Sequence, residues 1–251
     1  MKATRILGIG ALLLVLGIVG YAAKYMYERQ KRLSPADPAA LTALLSSDAV
    51  TVTVNGWYTF EPVGTSASKG FIFYPGGECD ERGYAELMHA IAAKGYLVVL
   101  VPMPLQLAVL APDKAEDVME AFPDIQSWAI GGHSLGGAMA ARFVYKHPGR
   151  IDGLLFWDAY PPKTDDISER NLAVTLIHRS GDDGEPPDYY AEYKHLLPAA
   201  MEYRPLPGAV HINFGRFIPA ARFQTELPPK LDIDSQHQLI IRYTTEFLAG
   251  L

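Results

Sequence analysis

The stretch Trp128-Ala129-Ile130-Gly131-Gly132-His133-Ser134-Leu135-Gly136-Gly137-Ala138-Met139-Ala140-Ala141-Arg142-Phe143-Val144-Tyr145-Lys146-His147 decides how this chain is read. It opens as a short apolar run, passes through Gly132-His133-Ser134-Leu135-Gly136, and continues with small and apolar residues at helical spacing as far as His147-Pro148-Gly149. That order predicts a strand, a sharp turn and a helix. Gly-x-Ser-x-Gly alone is common by chance. Between a strand and a helix it describes a nucleophile elbow, where a strained backbone lifts the serine hydroxyl out of the sheet and the glycines leave room for strand and helix to cross. The plain alternative is a glycine-rich turn without chemistry.

A serine hydroxyl becomes a competent nucleophile when a base takes its proton and a third group fixes that base. Downstream of Ser134 the chain supplies candidates for both. The apolar run Val174 to His178 is followed by Arg179-Ser180-Gly181-Asp182-Asp183-Gly184, an acid pair in a tight turn at a strand end. The run Met201 to Leu206 is followed by Pro207-Gly208-Ala209-Val210-His211. His211, in a loop, is the expected base; its rival His237 falls within the last expected helix. Asp183 is the first choice of acid, Asp182 the second because turn register cannot be read to one residue, and Asp158, closing the preceding strand, the third. Each of them could equally be a solvated turn carboxylate. A tetrahedral intermediate also needs backbone N–H donors. Leu135 supplies one, and Gly77 or Glu78, in the loop Pro75-Gly76-Gly77-Glu78 after the strand Phe71 to Tyr74, supplies the other.

The rest of the chain alternates. Val50 to Val54 and Trp57 to Phe60 around Asn55-Gly56 read as a hairpin. From Lys69 strands and helices take turns: helices at 84–94, 113–121, 188–197 and 235–248, strands at 71–74, 96–101, 151–157, 174–178 and 201–206. This predicts an α/β fold, a mostly parallel sheet with helices on both faces, whose chemistry sits at the carboxyl ends of the strands. With 251 residues, 49% of them hydrophobic, the chain can bury one substantial core. A net charge of -6 without a basic patch in the globular part argues against nucleic-acid binding. A single cysteine, Cys79, makes no internal disulfide. The sequence contains no metal-ligand cluster, phosphate loop or dinucleotide fingerprint, so no metal and no cofactor is expected.

Residues 6–23 are apolar but for glycines and Tyr21, with Lys2 and Arg5 before and Lys24, Arg29, Lys31 and Arg32 after. At about 1.5 Å per residue they just cross a hydrocarbon core. Residues 1–32 are therefore read as a single-pass membrane anchor with a charged flank, preferred over a signal peptide cleaved near Tyr21-Ala22-Ala23. Residues 33–49 read as a linker and 50–251 as the main domain. The domain is placed outside the cytoplasm, an orientation that the near-balanced flanking charges do not resolve.

Tyr74-Pro75-Gly76-Gly77, Pro102-Met103-Pro104-Leu105, Gly131 to Gly137, Tyr160-Pro161-Pro162 and Gly208-Ala209-Val210-His211-Ile212-Asn213-Phe214-Gly215 resemble the alpha/beta-hydrolase superfamily, in particular a dienelactone-hydrolase-like branch. The resemblance covers roughly residues 50–249. In similar sequences the acid turn reads glycine, two variable residues, aspartate, glycine, whereas Ser180-Gly181-Asp182-Asp183-Gly184 keeps only Asp-Gly in place. The resemblance implies an acyl-enzyme on Ser134 and a small-molecule carboxylic ester or related acyl substrate. The short segment 159–170 implies that no large cap covers the pocket, and Met103, Leu105, Leu107 and Leu110 are expected either to border an apolar acyl site or to pack the core. The alternatives are an acyltransferase using the same residues and a noncatalytic hydrolase-like binding module. The sequence does not set the oligomeric state.

Overall fold

In the computed structural model, which describes residues 2–226 and 228–251, with side chains from residue 13 onward apart from Leu227, the apolar runs line up as one eight-stranded sheet. Its strands are β1 (Val50–Val54), β2 (Tyr58–Pro62), β3 (Lys69–Tyr74), β4 (Leu97–Leu100), β5 (Ser127–His133), β6 (Gly153–Trp157), β7 (Ala173–Ser180) and β8 (Glu202–Pro207). They lie side by side in the order β1-β2-β4-β3-β5-β6-β7-β8. The first two form the antiparallel hairpin expected around Asn55-Gly56, with Gly56 at φ 79°. β2 meets β4 antiparallel, and every pairing from β4 to β8 is parallel.

Central strands covered on both faces need apolar residues at every position rather than at alternate ones. β3 shows how this divides the core. Ile72 and Tyr74 face one apolar layer, which contains Ile130, Leu154 and Phe156; Phe71 and Phe73 face the other, with Leu155 and Trp157. Helices α3 (Ala115–Ala121) and α4 (Leu135–Lys146) close the first layer through Val118, Met139 and Phe143. Helices α2 (Ala85–Ala92) and α5 (Ile233–Ala249) close the second through Leu87, Ile91, Ile240 and Leu248.

Two expected elements take a different form. The helix expected over 188–197 is two short 3-10 turns, Asp188–Glu192 and Lys194–Leu196. Here tertiary partners override helical periodicity: Tyr190 is pinned through its hydroxyl to the buried Asp158, and Tyr193 stacks on Tyr160 with ring centroids 4.1 Å apart. The stretch 33–49, read as a linker, is bonded into the domain. Ser34 bridges to Cys79, Ala36 bridges to Phe217, and Ser34, Ala36 and Ala40 are buried.

Helix α1 (Lys2–Arg32) precedes this body. Among the described residues, no helix is long and apolar enough to cross a membrane. The span expected over 6–23 reaches back into residues 6–12, whose side chains lie outside those described. From residue 13 on, Leu13, Leu14, Leu16, Ile18 and Val19 are all exposed. Between β6 and β7 the chain makes turns without a helix.

The close approach of α4 to the sheet rests on small residues. A Cβ added at Gly136 would lie 2.1 Å from the Tyr74 carbonyl oxygen and 2.4 Å from that of Pro75. Both obstacles are backbone, so neither can rotate away. Gly136→Ala is expected to cost about 3 kcal/mol of unfolding free energy in urea. An unchanged urea midpoint would show that the helix has room to move off β3.

Candidate active site

β5 ends at His133 and α4 starts at Leu135, which leaves Ser134 alone in the junction at φ 52° and ψ -121°. Such a conformation costs a non-glycine residue about 1–3 kcal/mol and persists only when its surroundings over-determine it. They do so here. The Ser134 N–H donates to the Trp157 carbonyl at 3.1 Å, and its carbonyl accepts the Ala138 N–H at 3.1 Å. A Cβ at Gly132 would lie within 2.6 Å of the Gly137 nitrogen and of the Tyr74 carbonyl oxygen. The glycines are required by the crossing of strand and helix.

His211 begins a short 3-10 turn, His211–Phe214, after β8. The loop that carries it is held by the buried Gln236 of α5, whose side-chain amide accepts from Val210 N–H at 3.4 Å and donates to the Val210 carbonyl at 3.1 Å. Its Nδ1 lies 2.5 Å from Asp158 Oδ2. A neutral imidazole that donates from Nδ1 keeps Nε2 as an acceptor. His211 and Ser134 line the same two cavities, of about 480 and 350 Å³.

The structure moves the carboxylate partner of His211 from Asp183 to Asp158. Asp183 turns back on its own loop and accepts the Glu185 N–H at 3.1 Å. Asp182 is exposed and pairs with Lys230 at 3.2 Å. The reason lies in β7, which continues past the expected end at His178 to Ser180 and pairs there with Pro207 of β8. The acid turn is carried beyond the histidine. Asp158 instead closes β6, and its N–H donates to the Ile177 carbonyl at 2.7 Å.

Asp158 is fully enclosed, and burial alone would raise its pKa. The opposing groups win: His211 and the Arg179 guanidinium, with Nε at 3.2 Å, bring the carboxyl down to about 2. The Tyr190 hydroxyl donates to Oδ1 at 3.0 Å and the Arg179 N–H at 3.4 Å. Arg179 and Tyr190 carried no motif in the sequence; their role follows from where β7 and the 188–192 turn place them. His133 packs locally, as its place inside the elbow suggests. The Tyr84 hydroxyl is hydrogen-bonded to the His133 Nδ1 at 2.8 Å and accepts the Gly76 N–H at 2.9 Å. Its ring centroid lies 4.4 Å from that of His211, and burial together with that neighbour holds it well below the usual imidazole range. It stays neutral.

Of the amides expected at the oxyanion position, Glu78 is engaged: its N–H donates to the Gln106 carbonyl at 2.9 Å. The Gly77 and Leu135 amides have no acceptor among the described residues. The two residues touch, since a Cβ at Gly77 would lie 3.0 Å from Leu135 Cδ2. Of the apolar residues considered for the acyl site, Leu107 lines the smaller cavity, Met103 is buried in the core, and Leu105 and Leu110 are exposed. The larger cavity runs past Ala138 and Ala159 to Tyr160, Tyr189 and Arg179. Among the described residues no cluster of histidine, cysteine or acidic side chains is placed to hold a metal ion. The site offers a strained hydroxyl, an imidazole fixed by a buried carboxylate, and two unengaged amides beside one cleft.

The ion pair makes stability depend on acid. The Asp158 carboxyl titrates at about 2 in the folded chain and near 3.9 unfolded, so the unfolded chain binds more protons between those values. Its contribution, about 2 kcal/mol, is present in full above about pH 4 and is lost as pH falls toward 2. Thermal melts from pH 7 to 2 are expected to show a wild-type advantage over Asp158→Asn that closes within that window. An advantage constant down to pH 2 would contradict the depressed carboxyl.

Residues 70–221 match the model of the alpha/beta hydrolase family. No curated protein sequence matches the chain. Solved structures share its fold at low identity. One described as a predicted CIB-like hydrolase from Thermoplasma acidophilum is 17% identical, with a TM-score of 0.56 over 81% of this chain and 99% of that one. A dienelactone hydrolase from Anabaena variabilis is 14% identical, with a TM-score of 0.56 over 80% and 99%. A carboxylesterase from Bacillus subtilis is 9% identical, with a TM-score of 0.55 over 85% and 95%. At such identities the likeness is one of fold.

Proposed function

The chain belongs to the alpha/beta hydrolase family, and from that premise we propose that it is a serine hydrolase cleaving a carboxylic ester or related acyl bond through an acyl-enzyme on Ser134. One observation carries the reading. A serine held at a strained strand-to-helix junction shares a cleft with a histidine whose Nδ1 is bonded to a buried carboxylate.

In this reading Ser134 Oγ attacks the acyl carbon while His211 Nε2 takes its proton. Asp158 fixes the ring and stabilises the imidazolium that results. The carbonyl oxygen becomes an oxyanion between the Gly77 and Leu135 amides, the latter at the positive end of α4. As the intermediate collapses, the bond to the leaving oxygen breaks and His211 returns the proton to it, releasing an alcohol. Water repeats the sequence on the acyl-enzyme and frees the acid and Ser134. The uncapped cleft suits a small or medium acyl group. The esterase and hydrolase names of the structures that share the fold agree with this substrate class.

Helix α1 serves in the same proposal as the membrane anchor, with the domain outside the cytoplasm. The apolar run at 6–23 and the exposed Leu13, Leu14, Leu16, Ile18 and Val19 support it. Retention in the membrane pellet after alkaline carbonate washing is the expected result, and release into the supernatant would count against it.

A fluorophosphonate probe is expected to label Ser134, with p-nitrophenyl acetate and butyrate turned over. Ser134→Ala and His211→Ala are each expected to lower kcat by about 10^4 or more, and Asp158→Asn by about 10^3 to 10^4, while Asp183→Asn stays within about twofold of wild type. Labelling at another residue, or full activity in Ser134→Ala, would overturn the reading.

A further inference from the structure

Helix α1 does not simply stop where the domain begins. Its last turn, and the residues just after it, are bonded into the two loops that flank the Gly77 amide. Arg29 is 8% exposed and donates through Nη2 to the Leu105 carbonyl at 3.0 Å and to the side-chain carbonyl of Gln106. Arg32 Nε donates to Glu78 Oε1 at 2.7 Å. The Ser34 N–H donates to the Glu78 carbonyl at 2.9 Å, and the Ser34 carbonyl accepts the Asp80 N–H at 3.0 Å. From the other side Arg222 donates to the second Glu78 oxygen and, at 3.0 Å, to the Gly77 carbonyl. The Glu78 N–H to Gln106 carbonyl bond then joins the two loops to each other.

Backbone conformation singles out the same residues. Among the described residues, the non-glycine positions with positive φ are Glu78 (59°), Leu105 (53°), Gln106 (52°), Ser134 (52°) and Asp158 (46°). The last two belong to the proposed triad. The first three are those gripped from α1. Left-handed backbone at residues with a Cβ persists where neighbouring contacts enforce it, and it concentrates where geometry matters for function. The Glu78 carboxyl supports this arrangement: burial would raise its pKa, yet the Arg32 and Arg222 guanidinium groups lower it below the usual range, keeping the carboxylate charged.

We propose that Arg29, Arg32 and Ser34 are positioning residues for the oxyanion loop, so that the end of the N-terminal helix sets the direction of the Gly77 N–H. The proposal rests on the reading of Gly77 and Leu135 as oxyanion donors. It makes α1 part of the catalytic apparatus and not merely a tether. A loop free of this grip keeps its residues but loses the alignment of one donor. That loss falls on the transition state, because a ground-state carbonyl draws far less on such a donor.

The test uses the full chain in detergent, with kcat and KM for p-nitrophenyl butyrate and the rate of fluorophosphonate inactivation measured separately. Arg32→Ala and Arg29→Ala are expected to lower kcat and the inactivation rate by about tenfold to a hundredfold, with KM within about twofold. Arg32→Lys keeps a cation beside Glu78 and is expected to recover most of kcat. Lys31→Ala, whose ammonium contacts Glu28 and the Tyr27 ring within α1, is expected to match wild type. Arg32 is half-exposed, so its variants decide the matter even if Arg29→Ala fails to fold. Wild-type kcat in Arg32→Ala, or an equal fall in Lys31→Ala, would overturn the proposal while leaving the serine-hydrolase reading intact. Absence of turnover and of Ser134 labelling in the wild type would instead remove the reading on which it rests.

Discussion

Four parts of the chain meet at the Asp158 carboxylate. β6 delivers it, the end of β7 brings Arg179, the turn at 188–192 brings the Tyr190 hydroxyl, and the loop after β8 brings His211. An ionised carboxylate enclosed by protein loses several kcal/mol of hydration, and only well-placed partners offset that cost. The strands, turn and loop are therefore not independent in their positions. The carboxylate is satisfied when β7 and β8 are in register with β6 and the tyrosine turn is folded down. A structural requirement, that a buried charge be fully bonded, thus fixes the orientation of the His211 imidazole.

On the other side of the cleft the constraint is steric. β5, α4 and the end of β3 pass so close that only glycine fits at positions 132 and 136. This crossing leaves Ser134 with little choice of backbone conformation. It also sets Gly77 against Leu135, so the two unengaged amides come from different elements packed on one another. The two halves of the site have different origins: electrostatic satisfaction holds the imidazole and close packing holds the hydroxyl. They meet across cavities that both Ser134 and His211 line.

How much of this was legible in the sequence follows the range of the interactions. The elbow could be read because its residues are contiguous and each glycine has a local reason. The position of His211 could be read because a loop between the last strand and last helix is visible as a pattern. Which carboxylate bonds His211 could not be ranked from the sequence. Asp182-Asp183-Gly184 carries a turn signature, whereas the length of β7, which takes that turn past the histidine, depends on pairing with β8. Glu78 offered an amide in the right loop, but the Gln106 carbonyl that engages it comes from another strand's loop. The 188–197 segment reads as a helix in the alternation of strands and helices; the partners that hold its tyrosines, Asp158 and Tyr160, lie about thirty residues away. The contacts of Arg29 and Arg32 span still greater separations and left no sequence signal.

The placement of the acid at the end of β6 also divides the neighbouring loops by how freely they can change. The turn at 181–187 has no partner of His211 to hold in place, is open to solvent, and joins strand to tyrosine turn by a path that tolerates length variation. Position 158 has no such latitude, because its backbone, its side chain and its left-handed φ are all committed. Growth of the 181–187 loop over the Tyr189 side would reshape the cleft and leave the hydrogen bonds of Asp158 behind it untouched. The surface that borders the cleft is thereby separated from the buried carboxylate that orients the imidazole behind it.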